Sequence, residues 1–185
     1  MTGKYFIPLL VFCFLGLSAF SQDSFSLYES DNLSVYGYQG MDTSFLLDQL
    51  HYTSFLHSET VFNSGPSSLD RMLSRTLEEI YLEISDLLDI HDYNGHITVY
   101  VLPGREELQA RASALSQDLS GASAFHSGTD VYISLDALTL SRFSDELSQV
   151  LIENYFAVPP PATVRQALCG YVQYHVKQMT DKELP

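Results

Sequence analysis

Ser141–Val176 reads SRFSDELSQVLIENYFAVPPPATVRQALCGYVQYHV, and its pattern decides what kind of fold to expect. Phe143, Leu147, Val150, Leu151 and Tyr155 recur at helical spacing and make a core-facing stripe. Asp145, Gln149, Ile152 and Phe156 share a second face of the same helix. That face starts polar and ends apolar, so burial on more than one side is expected. Pro159, Pro160 and Pro161 fix φ and withhold backbone donors, which stops the helix and sets a rigid corner. A second helix is expected over about Ala162–Lys177, with Val164, Leu168, Tyr171, Val172 and His175 as its stripe.

Upstream, Asn63-Ser64-Gly65-Pro66 breaks the chain. Ser67 or Ser68 then caps a long helix to about Ile90, with Leu69, Leu73, Leu77, Ile80, Ile84, Leu87 and Leu88 on its apolar side. Asn94-Gly95 is a turn, and Ile97–Leu102 (ITVYVL) is a strand closed by Pro103-Gly104. Arg105 to about Ser113 is a short helix. Ala122–Phe125 and Val131–Leu135 read as a hairpin around Ser127–Asp130. Further back, Gln22–Ser34 is polar and reads as a short leader. Val35–Tyr38 reads as a brief strand, and a helix is expected from Asp42 or Thr43 to about Leu56.

The order is long helix, strand, short helix, hairpin, helix, proline corner, helix. Together with the proline corner it resembles the gluzincin metallopeptidases, and among them the secreted peptidase MA-like domains. The resemblance covers roughly Leu69–Val176. It implies an α+β fold: a zincin-like N-lobe with a small mixed sheet and hairpin packed on a long helix, plus a C-terminal helix pair. In that family one helix carries His-Glu-x-x-His, with two zinc ligands one turn apart and a glutamate that activates water. A second helix, after a proline, adds a glutamate ligand. Laid on this chain, Asp145-Glu146-Leu147-Ser148-Gln149 falls on the first motif, Pro161 on the proline and Gln166 on the third ligand. Asp145, Gln149 and Gln166 therefore replace the ligands, and only Glu146 keeps the identity of the general base. A neutral amide is a poor zinc ligand beside imidazole or carboxylate, so neither metal nor cofactor is expected. The resemblance also implies that the last strand before the motif helix is a sheet edge that pairs with extended peptide. That strand is expected to be Val131, Tyr132, Ile133, Ser134 and Leu135. The sequence ends at Pro185, so the helical lobe that often follows is expected to be absent or minimal. The same residues also fit a generic α/β domain, in which Ser144 is an N-cap with Asp145 and Glu146 in the first turn.

Met1–Ser21 reads as a secretory signal: Lys4, the apolar run Tyr5–Leu17, and the small-x-small site Ala19-Phe20-Ser21. An uncleaved anchor is the alternative. Export to a periplasmic or extracellular compartment follows in either case. The expected division is a signal over 1–21, a partly structured segment over 22–64 and the α+β domain over 65–185. The chain has 9 basic and 23 acidic residues. Such a charge disfavours nucleic acid and anionic membrane surfaces as partners. Of the two cysteines, Cys13 lies in the signal, so the mature chain keeps only Cys169 and no internal disulfide is possible. Mid-helix between Leu168 and Gly170, Cys169 reads as a buried, inert thiol.

Other chemistry is poorly supported. Asp92-Tyr93-Asn94-Gly95 faintly resembles a calcium loop, but Ile90 and Val101 stand where that loop needs carboxylates. No Gly-rich phosphate loop and no Gly-x-Ser-x-Gly occurs. None of His51, His57, His91, His96, His126 and His175 forms an i, i+4 pair. His126 falls at the hairpin tip, and Glu146 is expected to hydrogen-bond Gln166 or Gln149. The expectation is an exported, non-catalytic pseudo-peptidase domain of the cell envelope that binds an extended peptide or envelope protein. A hydrolase using Asp145, Glu146 and a distant histidine, and a purely structural envelope protein, are the alternatives.

Overall fold

The computed structural model describes residues 24–50, 66–117, 119 and 121–181. The expected signal, His51, His57 and the far end of the helix expected to reach Leu56 lie outside them. The fold is α+β. Five strands form one open mixed sheet: β1 (Ser24–Glu29), β2 (Leu33–Tyr38), β3 (Ile97–Leu102), β4 (Ala124–Ser127) and β5 (Asp130–Ser134), in the order β1-β2-β3-β5-β4. β2, β3 and β5 run parallel to one another, and β1 and β4 are antiparallel to their neighbours. The helices are α1 (Thr43–Leu50), α2 (Pro66–Leu88), α3 (Arg105–Ala114), α4 (Leu140–Tyr155) and α5 (Ala162–Asp181).

Strand alternation explains the layering. Val35, Val99, Val131 and Ile133 point to one face, where Leu77, Ile80 and Ile84 of α2 and Leu147, Val150 and Leu151 of α4 close over them. Each such side chain contributes about 1.5–3 kcal/mol by leaving water. The alternate residues Tyr36, Tyr100, Tyr132 and Phe125 stack in a row across the other face. That face is only partly covered, by α3 through its buried Leu108 and Ala112. α2 ends where Asp89 turns to φ 56°. There Ile90 N–H donates to the Ser85 carbonyl at 2.9 Å, a left-handed cap of the kind Asn and Asp tolerate.

The polar stretch expected as a leader is strand β1 and the start of β2. Leu33, Val35, Leu46 and Leu50 belong to the same core as α2 and α4, so the sheet runs across the boundary expected between 64 and 65. Serine-rich β1 is largely exposed on both faces, so it lacks the alternation that marks a half-buried strand.

The expected edge strand is also corrected. Val131, Tyr132, Ile133 and Ser134 lie in β5, between β3 and β4, and Leu135 opens a 3-10 turn. The edge on this side is β4. A hairpin's sequence shows which two strands pair, but not which of the two meets the third.

Candidate functional site

α4 begins earlier than a Ser144 cap would allow. Thr139 is the N-cap, and its hydroxyl accepts from Arg142 N–H at 3.2 Å. Ser144 is a fully buried residue of the second turn. Burial on more than one side holds: Ser144, Glu146, Ser148 and Ile152 are buried in addition to the apolar stripe. At the proline corner, the Pro161 carbonyl accepts from Val164 and Arg165 N–H at 2.9 and 3.0 Å, which starts α5. α5 buries Cys169, Val172 and Val176, while Val164 and Tyr171 are 47% exposed. Its inward stripe is therefore rotated from the expected one: Val172 keeps its place, and Cys169 and Val176 replace Val164 and Tyr171.

Asp145, Gln149, Arg165, Gln166, Cys169 and Gln173 line one open cleft between α4 and α5. The three positions singled out from sequence thus come together. Asp145 and Gln149 are one turn apart on α4, and the corner brings Gln166 alongside. The Cys169 thiol is pushed up to about 11, by burial first and by the negative charge of Asp145 second. It stays a protonated thiol at neutral pH and is no nucleophile.

Glu146 does not join these three. It is 5% exposed, and its Oε2 lies 3.4 Å from Nδ1 of His126. His126 Nε2 lies 3.0 Å from Glu153 Oε2. The other oxygen of Glu153 meets Arg165 Nη1 at 2.6 Å. A charged chain therefore runs from α4 to β4, back to α4 and on to α5. The Glu146 contact raises the His126 pKa most, the Glu153 contact adds to it, and burial opposes both. An imidazolium that donates from both nitrogens fits this geometry. The expected Glu146 partners, Gln149 and Gln166, are replaced by a histidine from another element.

Sequence reasoning placed His126 at a hairpin tip and gave no role to Glu153 or Arg165. A signal was present. Glu146 and Glu153 are seven residues apart, on one helix face, and His126, two residues on from the inward-facing Ala124, shares its strand face. The remaining described histidines go elsewhere. His96 bonds Ser34 Oγ at 2.9 Å and the Asp31 carbonyl at 3.0 Å. His91 meets Asp86 and Asp89 at the surface, and His175 packs on Tyr171.

Among the described residues, no three His, Cys, Asp or Glu side chains are grouped as a metal site requires. No described helix is long and apolar enough to cross a membrane. Compared with protein-family models, with curated proteins and with solved structures, the chain gives no match.

Proposed function

We propose that this chain is an exported, non-catalytic module of the cell envelope. It is a gluzincin-like scaffold whose metal-binding positions have been refilled, and it takes an extended peptide along the β4 edge. The observation that carries the reading is the division of labour on α4. Asp145, Gln149 and Gln166 line one cleft, as ligand positions would. Glu146, in the place of a water-activating base, is occupied by His126. A carboxylate oxygen already turned to the His126 ring is not free to take a proton from water, so water activation loses its agent.

β4 supports the binding half of the reading. Ser134 N–H donates to the Ser123 carbonyl at 3.2 Å. Antiparallel alternation then turns the backbone groups of Phe125 and Ser127 toward β5, and those of Ala124 and His126 outward. An incoming strand would pair with that outward set, and its side chains would reach the α4–α5 cleft. Asp145 in the cleft wall offers a carboxylate to a basic group of the peptide, while Arg165 is held by Glu153.

Ala124→Pro removes one outward donor and spares the β5 ladder. Against a library of extended hexapeptides, the wild-type protein is expected to select a binding class that Ala124→Pro loses. Equal binding by both proteins would count against pairing at this edge.

A further inference from the structure

A second cavity lies on the opposite face of the sheet, away from α4 and α5. Tyr36, Tyr38, Tyr100 and Tyr132 line it from the strands, and Glu107 and Arg111 line it from α3. Its volume is about 120 Å³, the scale of one six-membered ring; an apolar cavity of ~150 Å³ holds benzene. The stacked rings form one of its walls, at centroid spacings of 5.7 Å between Tyr36 and Tyr100 and 5.1 Å between Tyr100 and Tyr132. Arg111 lies 5.0 Å above the Tyr132 ring and donates to its hydroxyl at 3.2 Å. It makes no ion pair with any described carboxylate.

We propose that this cavity binds one sugar ring of an uncharged glycan. The lining selects the class. Because the rings stack on one another, the tyrosines offer the cavity C–H edges and hydroxyls, which suit the mixed C–H and hydroxyl surface of a pyranose. Arg111 brings donors, Glu107 brings an acceptor, and the tyrosine hydroxyls do both. A plain aromatic ring would cover the remaining Arg111 donors and the Glu107 carboxylate without offering either a hydrogen bond, which is unfavourable. Hydroxyl groups around a saturated ring can satisfy both. An anionic ring would meet Arg111 but also Glu107, in a chain of formal charge −14. Burial raises the Tyr132 and Tyr100 pKa values, so their hydroxyls keep the protons they would donate. The site shares no lining residue with the α4–α5 cleft, and its binding does not depend on the peptide reading.

Saturation-transfer NMR on the purified protein tests the proposal. The probes are the methyl glycosides of glucose, galactose and N-acetylglucosamine, with phenol as a ring that lacks the polyol. At least one glycoside is expected to bind. Arg111→Gln and Glu107→Gln are each expected to weaken it about tenfold, the loss that follows from one charge-assisted hydrogen bond. Circular dichroism identifies a variant that fails to fold, and the other then decides the outcome. Binding of phenol without any glycoside, binding of no probe at all, or glycoside binding unchanged in a folded variant would each overturn the proposal.

Discussion

His126 joins three elements through one charge. The imidazolium faces Glu146 on one side and Glu153 on the other, and Arg165 holds the far oxygen of Glu153. Its pKa is raised in the folded state. The stabilisation is therefore fully present below the unfolded value of about 6.5 and is lost as pH rises through the higher folded value. His126→Ala is expected to cost about 2 kcal/mol at pH 6, since it leaves a buried carboxylate without its donor. The penalty should shrink as pH rises through the folded value, where the wild type loses the proton as well. Urea unfolding over a pH series upward from 6 measures both, and a penalty that does not vary with pH would mean the ring acts by packing alone. That Asp145, Gln149 and Gln166 line one cleft was expected only through the gluzincin resemblance. The role of His126 was not legible, because it depends on which face of the sheet a hairpin residue takes.

Where α4 starts decides which of its residues face the core. Thr139 caps the helix and Ser144 lies one turn inside, with its Oγ buried and bonded to nothing described. Thr139→Ala should cost about 1 kcal/mol. Ser144→Ala should be neutral or stabilising, because it removes a buried hydroxyl that has no partner. Thermal melts of the pair separate the two candidate caps; a larger loss at Ser144 would move the helix start to the cap of the generic α/β reading. Elements with strong local codes were legible: the 3.6-residue period of α2, the β-branched alternation of β3 and the short helix α3 stand where expected. β1 was not, since a serine-rich edge strand has the composition of a loop. The rotation of α5 was missed because Val164 and Tyr171 are apolar without being inward.

At the scale of the whole molecule, the sheet rather than the helix pair defines the folding unit. β2 pairs with β3, and Val35 is buried against the same core as Val99 and Val131. Val35→Asp should therefore abolish the native fold, because a charge without a partner would sit where 1% of the side chain meets solvent. Loss of the near-ultraviolet dichroism of the tyrosines reports it. A domain confined to residues 65–185 would tolerate the change. The sheet order could not be read from the chain, because adjacency between β3 and its two parallel neighbours is set by crossovers.

Those crossovers differ in length. The chain from Tyr38 to Ile97 is roughly twice as long as that from Leu102 to Asp130, and each doubling of a closing loop costs about 0.6 kcal/mol. Assembly thus favours β3, β5 and β4 as the nucleus, with β1 and β2 docking afterwards. A lesion in β2 mild enough to leave the fold, such as Val35→Ala, is then expected to speed unfolding and spare the folding rate, so damage to that half shortens the lifetime of the native state rather than delaying its birth.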